Sequence, residues 1–272
     1  MLALRWTIGD VRTRGFAALQ ASITGARRLF GAGARYRVYV NSIDVDEARR
    51  RTGDVPEEVE WLEAPRVVPE CLSRALDPRM AEGVAWKLLP LHAFPDDHEL
   101  SLDNDVILWD VPRAIREWLD GKTDFVLAAD VRASFGKFAP LCGERPLNSG
   151  IRGVPPGFAL EKAFEEILRA HSGLLVSELD EQGLQCAVVL ASGKVGVIEL
   201  DEVTICSPFP PHLEHLGNAG AHFVGLNTRV LGFQFNGRPA EDVRAAHWDA
   251  LSGEINRRIR NGGTLGSPES KR

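Results

Sequence analysis

The sequence predicts an α/β fold, a mixed and mostly parallel sheet flanked by helices and closed by a C-terminal helix. Three observations point there. Apolar strand-like runs and amphipathic helical segments alternate through the first half of the chain, the order that parallel strands require because each crossover takes a helix. The 272 residues, 44% hydrophobic and 26% charged, match the composition of a soluble globular protein and suffice for one large core. No period of about 20 to 50 residues repeats, which sets solenoids and propellers aside.

Leu2 to Ile8 is short and apolar and meets Gly9-Asp10, so it reads as a buried strand ending in a turn. Phe16, Leu19, Ile23, Ala26 and Phe30 follow at helical spacing, stopped by Gly31 and Gly33. This Gly-Ala-Gly lies after a helix and before a strand, the reverse of a dinucleotide fingerprint, so it is a helix stop. Tyr36 to Val40 alternates as a strand, Glu47 to Arg51 is a solvated helix face, and Val59 to Leu62 is a third strand. Met80 to Leu91 is helical in pattern and breaks near Pro90. Asp96-Asp97-His98 caps the next strand-like run, Glu99 to Trp109, whose centre carries two acids.

A helix over Pro112 to Leu119 and an apolar strand over Phe125 to Ala129 come next. Leu147 to Gly153 is a strand of small residues, Phe158 to Ala170 and Leu179 to Leu190 are helices, and Val195 to Ile205 is one strand. Ser207 to Pro211, with three prolines in five residues, is a stiff loop of polyproline character. Asp242 to Ile259 is the C-terminal helix. The reading is one domain over residues 1–260 and a flexible Gly/Ser-rich tail over 261–272.

Lys and Arg total 32 against 38 Asp and Glu, a net charge of −6, so nucleic acid is not an expected partner. An anionic ligand would have to be held locally, best by a metal. The four cysteines are scattered with no C-x-x-C pair, which fits a reducing cytoplasm. The start, Met1 to Trp6, meets a charge at Arg5, and no run of about 18 apolar residues occurs, so neither a signal peptide nor a transmembrane segment is expected. Serine-hydrolase elbow, Walker A and zincin motifs are absent from the sequence.

The chemistry concentrates at Asp103 and Asp105. In extended chain, side chains two residues apart leave one face about 6.6 Å from each other, and a small turn brings both to one cation. Asn104 then points the other way, while Leu102 and Val106 to Leu108 anchor the motif in the sheet. Charges inside an apolar run need a partner, and carboxylate oxygens suit Mg²⁺ or Mn²⁺, which keep positions open for phosphates. Ligands of such sheets sit at the carboxyl ends of the strands.

Leu102-Asp-Asn-Asp-Val-Ile107 resembles the metal-binding motif of nucleotide-sugar glycosyltransferases of the GT-A fold, most of all family 8, the group of glycogenin and the bacterial lipopolysaccharide galactosyltransferases. Asn148-Ser-Gly150 is similar to that family's N-S-G segment, Glu181-Gln182 to its acidic-Gln pair, and His222 with Gly225 to the start of its H-x-x-G-x-x-K-P-W segment. The resemblance spans Leu2 to Arg229. It implies a GT-A-like domain that uses Mn²⁺ (or Mg²⁺) to move a sugar from a UDP-sugar to an unknown acceptor, whether saccharide, lipid-linked sugar or protein, with retention at the anomeric carbon. It places Asp103, Asp105 and His222 on the metal, and Asn148, Glu181 and Gln182 at the sugar as catalytic residues. Thr7, Ile8, Gly9, Lys87, Asn104, Gly225 and Arg229 join the Asp pair around the donor. In such chemistry the leaving diphosphate gathers negative charge and the sugar becomes oxocarbenium-like, which side-chain oxygens of Glu181 and Gln182 would stabilise.

The sequence also departs from the family pattern. Thr228 stands where the family has Lys, the Pro-Trp pair is missing, and Arg229 is the nearest replacement cation for phosphate. Two alternatives follow. One is an inactive nucleotide-sugar-binding protein of the same fold. The other is a sugar-phosphate nucleotidyltransferase, disfavoured because its Gly-rich N-terminal phosphate loop is missing.

Overall fold

Residues 1–77, 85–206, 215–227, 234–235 and 237–262 are described by the structure, a computed structural model. The chain begins with β1 (Leu2–Ile8), α1 (Thr13–Phe30), β2 (Arg35–Val40), α2 (Val45–Thr52), β3 (Val59–Glu63) and the short α3 (Glu70–Ser73). After a 3₁₀ turn at Ala85–Leu88 come β4 (His98–Leu102), β5 (Val106–Leu108), α4 (Arg113–Leu119), β6 (Phe125–Ala129), α5 (Ala139–Cys142) and β7 (Leu147–Val154). The remainder is α6 (Leu160–Ala170), α7 (Glu178–Ser192), β8 (Val195–Ile198), β9 (Val203–Ile205), β10 (Gly220–His222), a small ribbon of β11 (Gln234–Phe235) and β12 (Arg238–Pro239), and α8 (Ala240–Asn261).

Seven strands make the large sheet in the order β3-β2-β1-β4-β7-β6-β8. Every strand in it but β7 runs the same way, since β7 pairs antiparallel with both β4 and β6. The expected mostly parallel α/β architecture with a C-terminal helix is the observed one. A second sheet, β5-β10-β9, stands beside it. Leu4, Trp6, Phe16, Leu19 and Ile23 share one core between the sheet and α1, while Leu127, Phe138, Phe164 and Leu184 fill another on the opposite face. Runs buried on both faces need no polar alternation, which is why the central strands read as continuously apolar.

Two corrections locate the site. Glu99 to Trp109 is two strands, because Asp103-Asn104-Asp105 turns the chain out of the large sheet and into the small one. Val195 to Ile205 likewise splits into β8 and β9, joined by a turn in which Glu202 N and Val203 N both donate to Glu199 O at 3.0 Å. Each polar turn breaks one sheet's pairing and opens the other's.

Of the helix expected over Met80 to Leu91, the described part holds only the 3₁₀ turn, and residues 80–84 lie outside the described residues. The same is true of the proline loop at 207–211, of Thr228 and Arg229, and of the tail from 263. The C-terminal helix runs on to Asn261, so the first residue assigned to the tail is helical. Among the described residues no helix is long and apolar enough to cross a membrane.

Candidate active site

The D-N-D turn is fastened on three sides. Val106 N closes it on Asp103 O at 3.0 Å, and Asp103 N donates to Gly150 O at 2.7 Å, tying it to β7. Phe223 N donates to Asp105 O at 3.0 Å, and His222 pairs in register with Val106. Asn104 turns away from its two neighbours, donating to Gly15 O at 3.3 Å and accepting from Asn227 Nδ2 at 2.7 Å. Its amide thus serves the protein, clamping the turn to α1.

This arrangement brings a distant imidazole to the two carboxylates. His222 Nε2 lies 3.4 Å from Asp105 Oδ1 and 3.7 Å from Asp103 Oδ2. One ligand atom from each residue lies within 4.8 Å of the others, and the buried His222 Nδ1 has no hydrogen-bond partner among the described residues. Gly150 makes room for the ring, since a Cβ there would stand 2.3 Å from His222 Cε1. Two carboxylates and an imidazole form a donor set for an octahedral divalent cation, so these residues fit the implied metal.

Lys87, on the 3₁₀ turn, sets its Nζ 2.6 Å from Asp103 Oδ2. Its side chain is 43% exposed, so water screens part of that attraction. Burial works against the Lys87 charge, but Asp103, with Glu181 and Asp105 behind it, holds the ammonium above the usual lysine range. Burial likewise opposes the Asp103 carboxylate, and Lys87 and His222 outweigh it and keep the group below its ordinary value. For His222, burial is overcome by the bond to Asp105 and by the charges of Asp105 and Asp103, which raise the imidazole above 6.5. Glu181 is pushed up to about 7, first by burial and then by the charge of Asp103, with Lys87 opposing.

The other expected residues are distributed unevenly. Glu181, 3% exposed, lies close enough to Lys87 and Asp103 to share their electrostatics. Gln182 does not join it: its amide donates to Ser134 O at 2.9 Å, holding the loop after β6. Successive helix residues point about 100° apart, so Glu181 and Gln182 cannot both face one point. Asn148 donates to Asp130 Oδ2 at 2.9 Å and accepts from Gly150 N at 2.7 Å, shaping β7 where its register with β6 shifts. Thr7, Ile8 and Gly9 end β1 at the carboxyl edge of the sheet, but Ile8 is packed in the core and offers a ligand only its backbone. Gly225 sits in the turn after β10 with φ 71°. Arg229 lies outside the described residues.

Gln185 and Arg152 are not among the site residues expected from the sequence. Both are buried, and Arg152 Nη1 donates to Gln185 Oε1 at 2.5 Å. A signal was available: Arg152 is a lone charge in a strand of small residues, and Gln185 stands four residues after Glu181 on one helix face.

No family model matches the chain, and no curated protein matches it in sequence. Solved structures do. A crystal structure of the galactosyltransferase LgtC in complex with donor and acceptor sugar analogues is 14% identical, with a TM-score of 0.54 over 97% of this chain and 98% of that one. An active-site mutant of LgtC is also 14% identical, with a TM-score of 0.51 over 91% of this chain and 95% of that one. At this identity the likeness establishes the fold, and the GT-A-like architecture is the one found.

Proposed function

We propose that this protein transfers a sugar from a nucleotide-diphosphate sugar, a UDP-sugar, to an acceptor, with Mn²⁺ held by Asp103, Asp105 and His222. The observation that carries the reading is the Asp-Asp-His cluster, with Asp105 and His222 buried, at the carboxyl edge of a sheet whose fold is shared with LgtC. A divalent ion bound there would neutralise charge on the departing diphosphate. Lys87 adds a second cation beside Asp103, placed to draw phosphate oxygens inward. Glu181 offers its carboxylate to the positive charge that develops at the anomeric carbon. The free thiols Cys71, Cys142, Cys186 and Cys206 support a reducing, cytoplasmic setting.

One observation favours a second reading, an inert nucleotide-sugar-binding protein of the same fold. The Gln182 amide, assigned to the sugar from the resemblance, is engaged by Ser134 O. Calorimetric titration with UDP, with and without Mn²⁺, tests the binding that both readings require. Affinity is expected only with the metal, and equal affinity in its absence counts against both. Donor-sugar hydrolysis separates them: the transferase turns over, and Asp105→Ala abolishes turnover by at least about a hundredfold.

A further inference from the structure

We infer that Arg152 and Gln185 are positioning residues that hold the Glu181 carboxylate toward the metal cluster, an inference that rests on the sugar-transfer reading. Gln185 lies one turn after Glu181 on α7 and uses both ends of its amide. Its Nε2 donates to Glu181 Oε1 and approaches Ser149 Oγ at 3.4 Å, while its Oε1 accepts from Arg152 Nη1 at 2.5 Å. The three residues are 3%, 5% and 0% exposed for Glu181, Gln185 and Arg152 respectively, so water does not compete for these bonds.

The direction of the amide follows from chemistry. A guanidinium can only donate, so the end of Gln185 that meets Arg152 must be its oxygen. The nitrogen is then left facing Glu181, and a carboxylate oxygen must accept there. Arg152 and the carboxylate thus fix one orientation from opposite ends, and without Arg152 the buried Gln185 oxygen loses the donor that anchors the amide.

Arg152 is itself informative. A fully buried cation is costly unless an anion compensates it. Glu99, the neighbouring carboxylate, is already taken by Arg5 Nε at 2.9 Å and by the amides of Ala93 and Phe94. Arg152 Nη2 reaches only Leu91 O at 3.4 Å, and no carboxylate bonds to Arg152 directly among the described residues. The charges of Glu99 and Glu181 both favour the Arg152 cation, and Glu181 is the one reached across Gln185. The path Arg152–Gln185–Glu181 therefore orients one carboxylate, and the central strand β7 provides its rigid base.

The test uses the full chain with Mn²⁺ and UDP-galactose or UDP-glucose. Gln185→Leu should lower kcat for donor hydrolysis about ten- to a hundredfold while KM and Mn²⁺ affinity stay within about twofold. A crystal structure of the variant should show the Glu181 carboxylate displaced from its wild-type place. Arg152→Lys should keep more of kcat than Arg152→Met. If Gln185→Leu fails to fold, Gln185→Asn, which keeps the amide and shortens the reach, carries the same readouts. Unchanged kcat, or an unmoved carboxylate, overturns the inference. Should the wild type turn over no donor, the transfer reading fails on its own account, and the two crystal structures still decide: a displaced Glu181 supports the positioning role and an unmoved one overturns it.

Discussion

Asp103 and Asp105 owe their placement to the residue between them. Asn104 faces the opposite way and bonds Gly15 and Asn227, so the two carboxylates are left on the side of His222. Burial and mutual charge shift the titrating groups around this cluster, and pH reports those shifts. Glu181 is raised from 4.5 to about 7 and His222 is raised above 6.5. A group whose folded value exceeds its unfolded one favours the fold below the unfolded value and ceases to do so as pH climbs through the folded one. Both groups thus act in the same sense, and the metal-free protein should lose stability between about pH 4.5 and 7 through Glu181, with His222 adding to the loss above 6.5. Asp103, lowered, acts only below its ordinary 3.8. Urea midpoints measured in EDTA across this window should decline, and Glu181→Gln should flatten the decline. A slope indifferent to that substitution would show that Glu181 is not the group responsible.

Between elements, the site depends on how closely α1 meets the small sheet. Gly25 lies where a Cβ would stand 2.2 Å from the carbonyl oxygen of Leu108 on β5. This close approach lets Asn104 reach the backbone of Gly15 one end of the helix away. Overpacking of this kind costs about 1 to 3 kcal/mol. Gly25→Ala is therefore expected to lower the unfolding free energy by that amount, read as a lower urea midpoint, and because β5 would shift with the helix, to weaken Mn²⁺ binding as well. A variant with the wild-type midpoint would mean that α1 can slide away from β5 without loss.

In the whole molecule, α8 packs with α1 over the small sheet and closes a third core there. Trp248, Ile255 and Ile259 enter it with Ile107, Trp109, Ala221 and Phe223. Burying three large apolar side chains contributes about 5 to 9 kcal/mol, as much as the net stability of an ordinary domain. Removing residues 240–272 is expected to abolish cooperative unfolding by circular dichroism. A truncated chain that melts at the wild-type urea midpoint would show instead that the small sheet holds without the helix.

Local pattern made much of this protein legible. Strands β1, β2 and β6, helices α1 and α7, and the acid pair in a broken apolar run all follow from periodicity and turn chemistry, which act over a few residues. Where a strand stops was less legible, as Glu99 to Trp109 and Val195 to Ile205 show, because an apolar run looks the same whether it stays in one sheet or crosses to another. Only the tertiary structure brought Lys87 and His222 to Asp103, turned Glu181 inward and Gln182 outward, and set Arg152 beneath them. Those meetings depend on sheet order, register and which helix face is buried, and such long-range geometry is decided by packing between segments that no local period relates.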